Sequence, residues 1–415
     1  MGDVSDRYWI ETLGCPKNQV DSDKLAGTLQ ADGMAAAGRP DEADLVVVNT
    51  CAFIEAAREE SVETVLALAE ARRPGARIVV TGCMAERYGD ELAEALPEVD
   101  RVAGFGVPVT MRQKPGPGPV PVLDLLNLPR PKASAPWAYV KVAEGCDRAC
   151  GFCAIPSFRG PQRSRSVDAI LAEVDQLEVA EVVLVAQDLA SYGRDIGARG
   201  SIVPLVEAVD RRVDRTRLLY LYPSDLDDRL VDAICATGVP YFDLSLQHVS
   251  RPLLRRMRRW GDGERFMRRI AGIRRRQADA AFRSSFIVGY PGETEDDHDL
   301  LLRFLEEARL DWAGFFAYSP EEGTYAAGLD GAVDPGLVAE RLRELTELQD
   351  TITYDRRAEL VGQRVEVLVD EPGVGRSHRE APEIDGVVNV PASLPVGRLA
   401  TVTVTGVAGT DVDAA

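Results

Sequence analysis

Histidine is scarce in this chain, with three residues in 415. Catalysis by histidine acid–base groups, or a metal site built from several histidines, therefore has little support. The chain also lacks an excess of basic residues, since its formal net charge is −19. That charge argues against a nucleic-acid binder that relies on a broad basic surface.

The chain does not begin with an apolar run, because residues 1–8 are polar. We expect no signal peptide, no transmembrane span and no membrane partner. Seven cysteines without a targeting segment predict a reducing compartment, and the cytoplasm is the default. A hydrophobic content of 45% is enough to bury ordinary cores, and the length predicts two or three domains.

A tight group of cysteines is the most specific feature of the sequence. Cys146, Cys150 and Cys153 follow the spacing C-x3-C-x2-C on a loop that contains glycines. Three thiolates this close can hold three corners of a cubane iron–sulfur cluster and leave one iron open for chemistry. A structural zinc ion would need a fourth ligand, and no further Cys or His lies nearby in the sequence. The alternative is a loop with free thiols.

Three other cysteines follow a repeated strand–helix pattern. Cys15, Cys51 and Cys83 each follow a predicted strand, at 8–14, 44–50 and 77–82, and helical patterns come next, at about 21–33, 54–73 and 85–96. Apolar strands that alternate with helices predict a parallel sheet with both faces covered, and such sheets bind ligands at the carboxyl ends of their strands. We therefore expect these cysteines to converge as a second cluster site. The alternative is three buried small side chains.

The middle of the chain predicts a barrel. Eight prolines between Val107 and Pro136 indicate a stiff linker. Beyond it, helical patterns alternate with six predicted strands, at 138–143, 181–187, 217–222, 241–246, 282–288 and 312–317. Six units suit a partial TIM-type barrel better than a closed eight-fold one. The central cysteine loop follows the first strand, at the mouth where barrel chemistry is expected.

The same rule nominates polar residues on the other strands. Gln187 and Asp188 end the second predicted strand and Gln247 follows the fourth, so we predict catalytic roles for these three residues. Arg283, on the fifth strand, is predicted to bind the cofactor. His248 is either an acid–base group or a hydrogen-bonded structural residue. Capping of the next helix is the structural alternative at such positions.

Arginine is concentrated in one segment. Residues 251–276 contain eleven arginines and two acidic residues. This pattern predicts either solvated helix faces or a patch for nucleic acid or an acidic partner.

The C-terminal part reads as a small β-domain. After a long amphipathic helix at 334–360, strands at 364–369, 385–390 and 399–405 predict a small antiparallel β-barrel of the OB type. Residues 361–415 carry four arginines and eight acidic residues, so this barrel suits a basic protein partner better than a phosphate backbone.

Together these motifs resemble the radical S-adenosylmethionine (SAM) methylthiotransferases. The matching residues are the central cysteine loop, Gly14-Cys15-Pro16-Lys17-Asn18, Asn49-Thr50-Cys51 and Gly82-Cys83. The resemblance implies an α/β multidomain chain with an auxiliary-cluster domain at 5–106, a linker at 107–131, a radical SAM core at 132–360 and a TRAM domain at 361–415. Residues 407–415 look short for a TRAM domain, so a final strand is expected to be missing.

The resemblance also implies cofactors and partners. It implies two [4Fe–4S] clusters and SAM, with Cys146, Cys150 and Cys153 on the SAM-binding cluster. Cys15, Cys51 and Cys83 would hold the auxiliary cluster, which carries the sulfur. An electron donor and a sulfur source are the further implied partners.

Two branches of this family differ in substrate. The RimO-like branch modifies the β-carbon of an aspartate on small-subunit ribosomal protein twelve, and the MiaB-like branch modifies an adenosine in transfer RNA. The stretches Cys15–Asn18, Cys153–Gly160 and Tyr318–Thr324 resemble the first branch. The acidic C-terminal residues also favour the first branch, because that ribosomal protein is basic. The substrate could be bound either on the ribosome or as the free protein. The transfer-RNA branch and a non-catalytic, cluster-bearing sensor or binding protein stay as alternatives.

Overall fold

A computed structural model describes residues 6–109 and 124–415. The chain divides into two compact units. The first unit contains the described residues up to 132 together with 143–147 and 154–169, and the second contains 133–142, 148–153 and 170–415. Residues 110–123 of the predicted linker lie outside the described part. None of the described helices is long and apolar enough to span a membrane.

The first unit is built mainly from strands that alternate with helices. In chain order these elements are β1 (Arg7–Thr12), α1 (Pro16–Ala31), β2 (Ala35–Ala36), β3 (Leu45–Thr50), α2 (Glu55–Ala71), β4 (Arg77–Gly82), α3 (Cys83–Ala95) and β5 (Arg101–Val102). The strands form one sheet in the order β2-β1-β3-β4-β5, and every pairing is parallel. The predicted parallel sheet is confirmed.

Successive side chains of β3 point to opposite faces of this sheet. Leu45 and Val47 pack with Leu29 of α1, whereas Val46 packs in the same cluster as Val65 of α2. Because both faces are covered, the strand is apolar at consecutive positions. The helix α1 begins at Pro16, earlier than predicted, because the fixed φ of proline suits the first turn of a helix.

Between residues 124 and 360 the chain again alternates strands and helices. The elements are β6 (Trp137–Lys141), β7 (Ala143–Glu144), α4 (Ile155–Arg159), β8 (Arg163–Ser164), α5 (Val167–Leu177), β9 (Glu181–Val185), α6 (Ile202–Asp210), β10 (Arg215–Leu218), α7 (Asp228–Ala236), β11 (Tyr241–Gln247), α8 (Arg251–Arg256), α9 (Gly263–Arg276), β12 (Ala281–Val288), α10 (Glu295–Ala308), β13 (Trp312–Ala317) and α11 (Pro335–Ala358). The short strands β7 and β8 pair as an antiparallel ribbon in the first unit.

Six parallel strands form the centre of the second unit. They occur as two sheets, β6-β9-β10 and β11-β12-β13, which a parallel bridge between Leu221 and Leu244 connects. The strands therefore follow one another in chain order, as they do in a TIM-type barrel. The predicted partial (β/α)6 barrel is confirmed.

The C-terminal residues form a small closed barrel. Its strands are β14 (Arg364–Glu371), β15 (Val374–Arg376), β16 (Val388–Asn389), β17 (Leu399–Ala408) and β18 (Asp411–Ala414), in the order β14-β15-β16-β18-β17. The expectation of a missing final strand is wrong, because β18 pairs with both β16 and β17. The pairing of β16 with β18 is parallel, against the antiparallel prediction, since five strands in a closed ring cannot all alternate in direction.

A buried ion network joins this small barrel to the strands of the larger one. Glu181, the first residue of β9, accepts from Arg217 Nε at 2.7 Å and from Arg376 Nη1 at 3.1 Å. Arg215 Nη1 donates to the carbonyl of Arg376 at 2.8 Å. Burial alone would raise the pKa of Glu181, but Arg217 and Arg376 lower it to about 2. The network therefore holds β15 against the beginnings of β9 and β10.

Replacing Glu181 by alanine should destabilise the protein by about 3–5 kcal/mol at neutral pH, because Arg217 and Arg376 would stay buried without their shared partner. The contribution of Glu181 is fully present above its ordinary pKa of 4.5 and is lost as the pH falls toward about 2. Urea unfolding at several pH values measures this difference, which should narrow in acid.

The matched control is E264A, because the side chain of Glu264 is 88% exposed on α9. An E181A protein that loses no more stability than E264A would contradict the structural role of the network.

Candidate iron–sulfur sites

The three N-terminal cysteines lie at one edge of the parallel sheet. Cys15 precedes α1, Cys51 follows β3, and Cys83 is the first residue of α3. Their strands β1, β3 and β4 are neighbours, so the strand ends lie side by side. A Cβ placed on Gly14 would lie 2.8 Å from Cys51 Cβ and 3.0 Å from its Sγ. The structure thus brings the three residues together, and their binding of a cluster stays a prediction.

These thiols also interact electrostatically. Burial, together with the neighbouring Cys15 and Cys83 thiolates, raises the pKa of Cys51 to about 12. Burial likewise raises the pKa of Cys83. At Cys15 burial has the same effect, but the charges of Lys17 and Arg159 outweigh it and lower the pKa. Three thiolates at this edge repel one another, so they need positive charge from the protein or from a bound group.

The donor set fits an iron–sulfur cluster. Among residues 6–109 and 124–415, no group of three or more His, Cys, Asp or Glu side chains is arranged to hold a single metal ion. Cysteine thiolates are the usual ligands of such clusters, and three of them leave one iron of a cubane open. Cys15, Cys51 and Cys83 therefore supply the type of ligand that a [4Fe–4S] cluster needs.

Two asparagines connect the strand ends around these cysteines. The Asn18 amide nitrogen donates to the carbonyls of Leu13 at 2.8 Å and Thr50 at 3.2 Å. The Asn49 amide nitrogen donates to the carbonyl of Asn18 at 2.8 Å and to Ser22 Oγ at 2.9 Å. The turns that carry Cys15 and Cys51 are therefore fixed by buried hydrogen bonds.

The first part of the central cysteine loop belongs to the first unit. The N–H of Cys146 donates to the carbonyl of Gly160 at 3.1 Å. Gly145, just before it, has a φ of +78°, and a Cβ there would clash with the carbonyl oxygen of Pro161. Only glycine tolerates both the positive φ and the lack of space for a Cβ, so the path of the backbone requires glycine before Cys146.

The second part of the loop belongs to the second unit. The N–H of Cys153 donates to the carbonyl of Cys150 at 3.2 Å, and the N–H of Gly151 donates to the carbonyl of Met257 at 2.8 Å. Arg259 Nη1 lies 3.3 Å from Cys150 Sγ. The thiol of Cys150 therefore has a permanent cation as its neighbour.

Asp188, one of the predicted catalytic residues, contacts a side chain of this loop. Its Oδ2 accepts from Arg148 Nε at 2.6 Å, and Arg148 also pairs with Asp225 and lies 3.9 Å from the centre of the Tyr222 ring. Burial raises the pKa of Asp188 above its ordinary value even though Arg148 opposes that effect. Gln187, the preceding residue, is half-buried. Asp188, which was predicted from its position at a strand end, thus lies beside the cysteine loop.

The two residues at the end of β11 differ in character. Gln247 has a φ of +70°, and the pairing of β11 with β12 is irregular there. A left-handed residue other than glycine is strained, and such strain is common at functional sites. His248 is buried, its Nδ1 accepts from the N–H of Ser250 at 3.0 Å, and burial lowers its pKa to about 4. These contacts support the structural interpretation of His248.

Arg283 lies near the beginning of β12, at the opposite end from the turn at Gly289. Its guanidinium pairs with Asp385 at 3.2 Å and with Asp243 at 3.5 Å. These ion pairs give Arg283 a structural role between the two barrels, and cofactor binding by this residue stays a prediction.

Several arginines of the segment 251–276 have structural partners. Arg269 and Arg276 pair with Asp228 at 2.8 and 3.0 Å, and Arg274 donates to the carbonyls of Ala308 and Arg309 at 2.7 and 2.9 Å. Five arginines of the segment, including the paired Arg269 and Arg276, line a cavity of about 560 Å³ whose walls contain none of the cysteines. For the paired arginines, solvated helix faces are the better description.

Three family models match the chain in succession. An uncharacterized protein family, UPF0004, matches residues 7–104, the radical SAM superfamily matches 140–305, and the TRAM domain matches 361–415.

Relatives with assigned names match nearly the whole chain. A protein of Cutibacterium acnes is 41% identical over 97% of this chain and 96% of its own length. A protein of Moorella thermoacetica is 42% identical over 96% of this chain and 96% of its own length. A protein of Aquifex aeolicus is 40% identical over 97% of this chain and 95% of its own length. All three are named ribosomal protein uS12 methylthiotransferase RimO. This chain belongs to the RimO family. It is a radical SAM enzyme, with SAM and [4Fe–4S] clusters as cofactors.

A solved structure supports the fold of this RimO family member. TsrM, a radical SAM methyltransferase from Kitasatospora setae, matches 84% of this chain and 89% of its own with a TM-score of 0.51. The sequence identity is 15%, so the similarity shows the fold alone.

Two side chains at the N-terminal cysteines were not predicted as site residues. Asn18 Oδ1 is 3.7 Å from Cys83 Sγ, and Arg159 Nη2 is 3.0 Å from the same sulfur. Asn18 and Arg159 are separated from Cys83 by 65 and 76 residues in the sequence, so no local pattern predicts these contacts.

Replacing Gly14 by alanine should lower the iron bound at the N-terminal cysteines. The new Cβ would press on Cys51, and the residue also needs a φ of +91°. Gly33 provides the matched control, because its φ is +89° and nothing lies within 4 Å of a Cβ built on it. Iron and sulfide per chain, measured after anaerobic reconstitution, should fall in G14A and not in G33A. Equal iron in both variants would contradict the close approach of Gly14 to a cluster ligand.

Proposed function

We propose that this protein attaches a methylthio group to the β-carbon of an aspartate in ribosomal protein uS12. The observation that carries the proposal is the similarity to RimO relatives named for that substrate, which spans 96–97% of the chain in the three described above. The geometry supports it, because a second set of three thiols lies at the sheet edge of the N-terminal domain. A radical enzyme that only cleaves SAM has no need of such a set.

The two cysteine sets have separate tasks in this proposal. Cys146, Cys150 and Cys153 would hold the SAM-binding cluster, and Cys15, Cys51 and Cys83 would hold the auxiliary cluster. When bound, these groups would supply one-electron cleavage of SAM and transfer of a methylthio group to a carbon whose hydrogen is only weakly acidic, for which a radical route is better suited than a general base.

The remaining polar residues at the barrel mouth position the reactants in this proposal. Arg148 fixes the cysteine loop through its ion pairs with Asp188 and Asp225. Asp188 Oδ1 is buried and has no hydrogen-bond partner among the described residues, so it can accept from a bound molecule. We assign Asp188, Gln187 and Gln247 to contacts with substrate or SAM.

The surface of the C-terminal barrel favours a basic protein as substrate. Of its four arginines, Arg376 and Arg379 are buried, which leaves Arg364 and Arg398 exposed. Acidic side chains outnumber these two on the same surface, since Glu366, Glu371 and Asp413 are all exposed. A surface without excess positive charge suits a basic ribosomal protein better than a phosphate backbone.

The proposed reaction also needs an external electron donor and a sulfur source, because each turnover uses an electron to cleave SAM and transfers a sulfur atom to the product. We place it in the cytoplasm, where ribosomal proteins are made and where reducing conditions keep thiols available for cluster ligation.

Replacing Cys15, Cys51 and Cys83 together by alanine should leave reductive cleavage of SAM in place and abolish methylthiolation of uS12. The radical SAM cysteines are unchanged in this variant, whereas the proposed sulfur-carrying site is removed. Chromatography measures 5′-deoxyadenosine, and mass spectrometry of uS12 and of transfer-RNA nucleosides measures the product. C235A is the control, because Cys235 lies in α7 and is outside both sets; it should keep both activities.

Failure of the triple variant to cleave SAM would contradict the division of labour between the two cysteine sets. A methylthio group on transfer-RNA nucleosides alone, in cells that carry this protein and no other methylthiotransferase, would contradict the ribosomal substrate and favour the adenosine-modifying reaction.

A further inference from the structure

A buried arginine reaches the N-terminal cysteines from a distant part of the sequence. Arg159 is the last residue of α4, six positions after Cys153, and belongs to the first unit. Its side chain is 3% exposed. Burial of an unpaired guanidinium is very unfavourable, so its surroundings must provide matching acceptors.

The two terminal nitrogens of Arg159 have different partners. Nη1 lies 2.9 and 3.0 Å from the carboxylate oxygens of Glu144 and 3.3 Å from Asp21 Oδ2. Nη2 donates to Asn18 Oδ1 at 2.8 Å and to Cys83 Sγ at 3.0 Å. The carboxylates thus hold one side of the planar group, and the other side is aimed at a sulfur. This division depends on the rigid fork of arginine, which lysine cannot reproduce.

The charge at this position is permanent. An arginine guanidinium keeps its proton throughout the pH range in which proteins fold, and the carboxylates of Glu144 and Asp21 lie against one side of it. The Phe105 ring lies 4.5 Å from the guanidinium carbon and covers its face. Water therefore has little room to screen the interaction with the sulfurs.

Hydrogen bonds and charges next to the ligand sulfurs are among the factors that set the reduction potential of an iron–sulfur cluster. A fixed N–H donor and a positive charge stabilise the reduced form, which carries one more negative charge. We propose that Arg159 is a positioning residue of the auxiliary cluster on Cys15, Cys51 and Cys83. Its guanidinium donates a hydrogen bond to the Cys83 thiolate and raises the reduction potential of the cluster. This inference rests on the proposed placement of that cluster.

The contacts of Glu144 give this arrangement a second consequence. Glu144 lies two residues before Cys146, and Arg159 lies six residues after Cys153, in the chain segment that leaves the cysteine loop. Both flanks of the loop, 143–147 and 154–169, belong to the first unit together with Cys83. One guanidinium therefore connects the backbone on either side of the radical SAM loop to a ligand of the auxiliary cluster.

The test measures the potential of the auxiliary cluster alone, in the full chain. The parent is C146A/C150A/C153A, which lacks the other ligand set, and R159Q, R159K and R163Q are introduced into it. Arg163 is the matched control, since it lies four residues further on and its side chain is 57% exposed. Electron paramagnetic resonance, recorded during a redox titration, and iron per chain are the readouts.

R159Q should lower the equilibrium constant for one-electron reduction of the cluster at least tenfold. This change corresponds to a reduction potential that is more negative by about 59 mV. R159K should shift it less, because it keeps the charge and loses the double contact, and R163Q should match the parent. An R159Q protein with full iron and the potential of the parent would overturn the inference.

If R159Q fails to retain iron, R159K decides: retained iron supports the role of the charge, and loss of iron in both variants contradicts it. A parent that holds no cluster would instead contradict the proposed placement of the auxiliary cluster, so the two failures are distinguishable.

Discussion

Parallel strands that lie in register end at the same edge of their sheet, and the convergence of Cys15, Cys51 and Cys83 depends on that constraint. In the sheet, Asn49 of β3 pairs with Thr12 of β1 on one side and with Thr81 of β4 on the other. The turns that follow these three strands therefore begin at the same height along the strand direction. Cysteines separated by more than thirty residues in the sequence therefore meet without a dedicated loop. The helices on both faces fix the strands, and the asparagine hydrogen bonds fix the turns.

Such a site has an electrostatic cost, because three thiolates repel one another in a buried environment. The protein offsets this cost with Arg159, whose own burial is compensated by Glu144 and Asp21. Cys150, on the other set, also has an arginine nearby, since Arg259 lies 3.3 Å from its sulfur. In each cysteine set, an arginine that cannot lose its charge thus contacts one of the sulfurs.

Most of the fold follows from local patterns. Apolar runs that alternate with helical patterns predict the parallel sheet and the six-stranded barrel. Both kinds of pattern can be recognised within a few residues of the sequence. The parallel pairing of β18 was missed, since it follows from ring closure and not from local sequence. Arg159 was missed as a site residue because a long side chain makes its contacts far along the chain. Arg283 was nominated from its strand, although it lies near the beginning of β12, where its partners are Asp243 and Asp385.

We infer that this chain builds two independent three-cysteine cluster sites, one of them from three separate strand ends. Mössbauer spectroscopy with iron analysis tests this inference on the reconstituted wild type and on the two triple alanine variants. Two such sites predict about eight irons per chain in the wild type and about four in each variant, all as cubane clusters. A variant without Cys15, Cys51 and Cys83 that still holds as much iron as the wild type would contradict this inference.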